Sequence, residues 1–262
     1  MRILVCIKQV PGSTQVEMDP LTGVLARSGT ESKLNPYDLY ALELAFELCE
    51  RYGGAAEVMT MGPEQAADIV AEAVYMGAQG GVLLSDPCFA GADVLATSQT
   101  LAQGIKRSGP FDLIICGKQT TDGDTAQVGA EIAQLLELPH LSNVLTVEEV
   151  SPESIIVTCD AERSVLRHRL PLPCLICSDG GINTPRLPSY RRKRHLGAIP
   201  IINWGLNDLQ DQDPKHYGLS GSPTQVERVF PPEKSAVKQL FSGKAEELAT
   251  RLADTLRERK FI

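Results

Sequence analysis

A chain of 262 residues, 43% of them hydrophobic, can bury one large core or one core with an appendage. Its net charge of −8 argues against general nucleic-acid binding, and no apolar run approaches the length of a membrane span. The run Met1 to Ile7 is strand-length rather than a leader, and seven scattered cysteines, an odd number, suit buried thiols in a reducing cytoplasm.

In chain order, "RILVCIKQVP" (2–11) reads as an apolar strand broken by proline. "LNPYDLYALELAFELCERYGG" (34–54) reads as a helix, with Asn35 as candidate N-cap, Pro36 in the first turn, apolar positions at 39, 42, 46 and 49, and a double glycine to stop it. "AAEVMTMG" (55–62) is the next strand and "PEQAADIVAEAVYMGA" a small-residue helix after it. "GGVLLSD" (80–86) is a strand, followed by a helix from about Asp93 to Lys106; "FDLIICG" (111–117) is a strand, followed by a helix from Thr125 to Glu137. This alternation predicts an α/β fold with right-handed crossovers and a doubly wound, mostly parallel sheet. "NVLTVEEV", "ESIIVTCD", "RSVLRHRL" and "PCLICSD" (143–179) are closely spaced and predict an antiparallel extension of that sheet.

Beyond Pro185 the periodicity fades. Three regions are therefore expected: a nucleotide-binding α/β domain at 1–185, an extended partner-binding arm at 186–232, and a C-terminal helical segment at 233–262. Within that segment a helix over 233–258 carries Val237, Phe241, Ala245, Leu248, Leu252 and Leu256 as one apolar stripe. The C-x-x-C of Cys174 and Cys177 lies in a strand, where residues three apart face opposite ways, and no second pair completes a zinc site; both are read as structural, and no metal site is expected.

No G-x-G-x-x-G follows the first strand and no G-x-x-x-x-G-K-[ST] occurs. The remaining phosphate candidate is "CGKQTTDGDTAQV" (116–128), a buried strand running through a polar loop into a helix N-terminus. With Asp124 as N-cap, its carboxylate turns inward. The backbone N–H groups of Thr125 to Val128, the Thr125 hydroxyl and the Gln127 amide are then left for a phosphate, while Asp122 shapes the turn or takes a ribose hydroxyl. An ordinary capped helix and, less readily, a two-carboxylate magnesium site remain open as alternatives.

Several blocks together resemble the β subunit of electron-transfer flavoproteins: "ILVCIKQVP", "LNPYD" (34–38), "TMGP" (60–63), "CGKQTTDGDTAQVGAEIA" (116–133), "INTPRLPSYRRK" (182–193) and "GLSGSPTQV" (218–226). The resemblance runs from residue 1 to about 232 and implies an adenine-nucleotide-hydrolase-like fold. It also implies a nucleotide site in which Cys6, Leu34, Asn35, Pro36, Tyr37 and Met61 border the adenosine. Gly117, Lys118, Gln119, Asp122, Gly123, Asp124, Thr125, Ala126, Gln127 and Val128 would wrap the ribose and phosphates.

"DGDTAQVG" and "GSPTQV" look like the kind of β subunit that holds FAD and takes part in electron bifurcation; the alternative is AMP as a structural cofactor. The FAD-holding kind implies NADH as donor, ferredoxin as one acceptor, and a second path through the FAD of an α subunit to a flavin-dependent dehydrogenase of lactate or acyl-CoA type. The resemblance places the partner contact at Tyr190, Arg191, Arg192, Lys193 and Arg194, with Tyr190 where the family has a leucine at the loop tip. No catalytic acid–base side chain is expected, and no activity from this chain alone. An ATP-binding stress protein or ATP pyrophosphatase would share the fold, but their glycine and serine motifs are missing from the sequence.

Overall fold

The computed structural model describes residues 1–12, 32–227 and 240–262. The first strand, β1 (Arg2–Cys6), carries five residues with no polar position after Arg2, as a strand covered on both faces requires. A short antiparallel pair follows, β2 (Gln9–Pro11) and β3 (Ser32–Leu34). Helix α1 (Pro36–Tyr52) begins on a proline and ends where Gly53 turns to φ 76°, a conformation that costs glycine little. After it come β4 (Ala55–Met61), α2 (Ala67–Met76), β5 (Gly81–Leu84), α3 (Val94–Ser108), β6 (Leu113–Gly117) and α4 (Val128–Leu135). The remaining elements are β7 (His140–Val150), β8 (Ser154–Asp160), β9 (Val165–Pro171), β10 (Cys174–Ser178), α5 (Tyr190–His195), β11 (Ile201–Trp204) and α6 (Ala245–Glu258).

Among the described residues the main sheet has nine strands in the order β11-β5-β4-β1-β6-β10-β7-β8-β9. From β1 the chain crosses to β4 and β5 on one side, then returns through α3 to β6 on the other side of β1. The winding direction reverses between β1 and β6, and open α/β sheets bind ligands at the carboxyl ends of the strands at such a point. The core has two layers. Ile3, Val5, Leu42, Phe46, Val70, Leu113 and Ile115 pack under α1 and α2, while Leu4, Met59, Leu101, Ile114, Ile132 and Leu175 pack under α3 and α4.

The antiparallel extension is narrower than the strand spacing predicts. Only β8 runs against the other strands, pairing antiparallel with β7 on one side and β9 on the other; β10 inserts between β6 and β7 and is parallel to both. Cys174 and Cys177 face the two different core layers, as the strand period requires.

The expected extended arm also needs correcting over its described part. Residues 201–204 form β11, parallel to β5 at the sheet edge, and Tyr217 and Leu209 are buried in the α3–α4 layer. Arg186 reaches back to α1, pairing with Glu43 and Glu50 at 2.8 and 2.7 Å. These contacts fold the segment onto this chain's own domain. The described C-terminal helix spans Ala245–Glu258; residues 228–239, with the expected start near 233 and Val237 of the expected stripe, lie outside the described residues.

Candidate functional site

At the carboxyl end of β6, Gly117 lies flush against the first turn of α1. A Cβ there would run into the Asp38 carboxylate and come within 2.8 Å of the Tyr37 carbonyl carbon. The loop that leaves Gly117 is fixed from below. Lys118 is tied to strand β10, its N–H donating to Ser178 O at 2.9 Å and its ammonium pairing with Asp179 at 2.8 Å. That bond raises the Lys118 pKa.

Asn35, fully buried, stands at the N-cap position of α1 but makes no capping bond with its side chain. Its amide instead spans the loop, donating to Gln119 O at 2.9 Å and accepting from the Thr121 N–H at 3.3 Å. Three residues on, the Asp38 carboxylate accepts from the Lys8 N–H at 2.7 Å, and the Lys8 ammonium holds both oxygens of Asp122 at 2.8 Å. Desolvation pulls the Asp122 carboxyl up, yet the Lys8 ammonium keeps it below its ordinary range.

Asp124 is not the N-cap of α4, as the sequence suggested. Its carboxylate accepts from the Gln119 side-chain amide, its backbone sits at φ 53°, and the helix starts three residues later than expected, with Gln127 at the cap position and Val128 as first residue. Ala126 is at φ 56°. A left-handed alanine costs roughly 1–2 kcal/mol, and such strain persists where the surroundings fix a backbone for a purpose. Gln127 follows at φ −111°, ψ −29°, so the chain turns from left- to right-handed helical geometry just as it enters α4. The turn leads straight into a helix start, whose first N–H groups lack intrahelical partners and can take an anion.

The predicted site residues converge on this corner. Residues 121–127 are exposed, Val128 begins α4, and Pro36 and Tyr37, with Tyr40, Thr121 and Gly180, line an adjacent cavity of about 360 Å³. Leu34 is buried behind it, and Met61 ends β4 one strand further out. Cys6 is buried in register with Cys116, itself in register with Cys177. The bond to Cys116 and burial push the Cys177 thiol well above its ordinary range, which keeps that thiol protonated and unreactive. Among the described residues no group of three metal-binding side chains occurs, and no helix is long and apolar enough to cross a membrane.

Sequence reasoning passed over Lys8, Asp38 and Asp179. Lys8 lies inside the first quoted block and Asp38 and Asp179 at the ends of two others, and each acts through a fold contact that spacing cannot show. Burial pushes the Asp38 carboxyl up to about 7, against the lowering effect of the Lys8, Asn35 and Gly117 bonds. Between its ordinary value of 3.8 and about 7 the folded chain keeps a proton that the unfolded chain has lost. Stability is therefore expected to fall as pH rises across that window, by on the order of 4 kcal/mol in all, and to stay level above it. Asp38→Asn should flatten this slope, which denaturant unfolding of both chains between pH 4 and 8 measures; equal slopes would contradict the assignment.

The basic run divides on α5. Arg192 turns inward and donates to Val74 O and Ala78 O at 3.1 and 3.2 Å, while Lys193 lies over the Tyr75 ring at 5.8 Å. Arg191 and Arg194 stay exposed. The tip carries two apolar side chains rather than Tyr190 alone: Leu187 is 87% exposed and Tyr190 72%.

The model of the electron transfer flavoprotein domain matches residues 22–202. The chain is 41% identical to Protein FixA of Bradyrhizobium diazoefficiens, over 98% of this chain and 91% of that protein. It is 41% identical to the caffeyl-CoA reductase-Etf complex subunit CarD of Acetobacterium woodii, over the whole of both chains. It is also 37% identical to the electron transfer flavoprotein subunit beta of Clostridium acetobutylicum, again over both whole chains. With these matches spanning the strand ends and the loop described above, the chain belongs to the electron transfer flavoprotein family, as a β subunit.

Proposed function

We propose that this chain is the FAD-holding β subunit of a complex that oxidises NADH and divides the electrons between ferredoxin and, through the flavin of an α subunit, a partner dehydrogenase. The observation that carries this reading is the openness of the loop. Residues 121–127 are all exposed, and a Cβ built at Gly123 meets nothing nearer than Thr120 Oγ1 at 3.5 Å. Space along the backbone suits a dinucleotide's pyrophosphate, which continues past the adenosine, better than the closed end a monophosphate needs.

In this reading the amides of Thr125 to Val128 take the phosphates, Thr125 and Gln127 add side-chain donors, and Pro36 and Tyr37 flank the adenosine. Cys6, Leu34 and Met61 form the apolar backing, while Asn35, Lys118, Gln119, Asp122 and Asp124 hold the loop in shape. Bound there, FAD supplies hydride acceptance and single-electron transfer; the chain's part is to place and enclose it. Leu187 and Tyr190, flanked by Arg191 and Arg194, would meet the partner dehydrogenase, and α6 would lie on the α subunit. The full-length likeness to a subunit of a caffeyl-CoA reductase-Etf complex favours a partner acting on an acyl-CoA over one acting on lactate.

The test is NADH oxidation by the purified heterodimer with ferredoxin and an acyl-CoA acceptor together. Oxidation that requires both acceptors supports the reading. Equal rates without ferredoxin would favour a β subunit that holds AMP.

A further inference from the structure

The loop that frames the nucleotide site is held from behind by two side chains outside it. We propose that Asp38 and Lys8 are positioning residues, an Asp38–Lys8–Asp122 relay that sets the loop against the strand ends, an inference that rests on reading this loop as the nucleotide site. Each link is short. Asp38, 4% exposed, fixes the backbone of Lys8 through a 2.7 Å bond, just where β1 ends. With its backbone fixed there, Lys8 can reach Asp122 across 114 residues of sequence and hold both carboxylate oxygens at 2.8 Å. Asp122 carries the turn: Thr120 O accepts from the Asp124 N–H at 2.9 Å across it.

The opposite side of the loop is held also by Asn35 and Lys118, neither of which touches the Lys8–Asp122 pair, so loss of that pair should loosen the Asp122 end without unfolding the domain. The Lys8–Asp122 pair is partly exposed, at 44% and 32%, which makes it a modest contributor to global stability. Its effect should instead appear in how long a nucleotide stays bound.

The experiment uses the co-expressed heterodimer and follows release of its bound nucleotide after dilution into an excess of an FAD-binding apoenzyme such as apo-glucose oxidase, with AMP measured in parallel. Lys8→Met and Asp122→Asn should each speed release by about three- to tenfold, and the double variant should be no faster than either one, because a relay cut once is cut. Asp38→Ala, which also loses the Asn35 and Gly117 bonds, should release at least as fast as Lys8→Met, whereas Asp38→Asn, whose amide oxygen still accepts the Lys8 N–H, should release at the wild-type rate. If Asp38→Ala fails to assemble, the Lys8 and Asp122 cycle decides. Additive effects of Lys8→Met and Asp122→Asn, or wild-type release by both, would overturn the relay while leaving the site in place. A wild-type heterodimer with no nucleotide in this subunit would overturn the site and the relay together.

Discussion

Gly117→Ala is expected to destabilise the domain by about 1–3 kcal/mol, the usual cost of forcing a methyl into a filled space, and to empty the nucleotide site. The added carbon has nowhere to go. On one side is the buried Asp38 carboxylate, and on the other are main-chain atoms of Tyr37 and Asp38, at 2.8 and 3.0 Å, in the first turn of a seventeen-residue helix. Relief requires the end of β6 to move away from α1, and Lys118, Gln119 and the loop move with it. Gly123→Ala is the control, because its new methyl meets Thr120 Oγ1 at an ordinary 3.5 Å and should leave stability unchanged. Denaturant unfolding and nucleotide content per heterodimer measure both effects. A Gly117→Ala chain as stable and as loaded as wild type would show that this contact does not position the loop.

Removing residues 240–262 is expected to weaken association with the α subunit by on the order of a hundredfold, about 3 kcal/mol. Helix α6 has no buried residue; Leu252 is 53% exposed, and Phe241 meets the Arg251 guanidinium at 5.2 Å. Fourteen residues are marginal as an isolated helix in water, so a stripe of Leu248, Leu252 and Leu256 implies a surface to cover it. The cut should not begin at 186, since β11, Leu209 and Tyr217 belong to the sheet edge and core. Titration of the truncated chain with the α subunit measures the loss, and undiminished affinity would place α6 elsewhere.

The fold was legible where local pattern and tertiary role agree. β1, β4, β5 and β6 are apolar runs because a parallel strand is covered on both faces, and the Pro36 start and Gly53 stop of α1 are local signals. β11 was not legible, because "IINW" is short, exposed at two positions, and a strand only by virtue of its pairing with β5. The position of β10 between β6 and β7 is likewise a matter of pairing rather than pattern.

At the site, the loop and its helix were visible as a strand–polar–helix order. The role of Asp124 was not, since a left-handed backbone at Asp124 and Ala126 delays the helix and frees no cap. Asn35 was recognised as a cap by residue type, but its amide serves the loop 84 residues away. Lys8 and Asp38 escaped because their importance lies in contacts with Asp122 and with each other, made only when β1, α1 and β6 come together.

The central claim is that the loop at the β1–β6 switch holds FAD. Its most direct test is the nucleotide content of the purified heterodimer, released by denaturation and counted by chromatography against protein. The account predicts two FAD per heterodimer and no AMP, falling to one FAD when Gly117→Ala is introduced in this chain. One FAD with one AMP in the wild-type complex would contradict it.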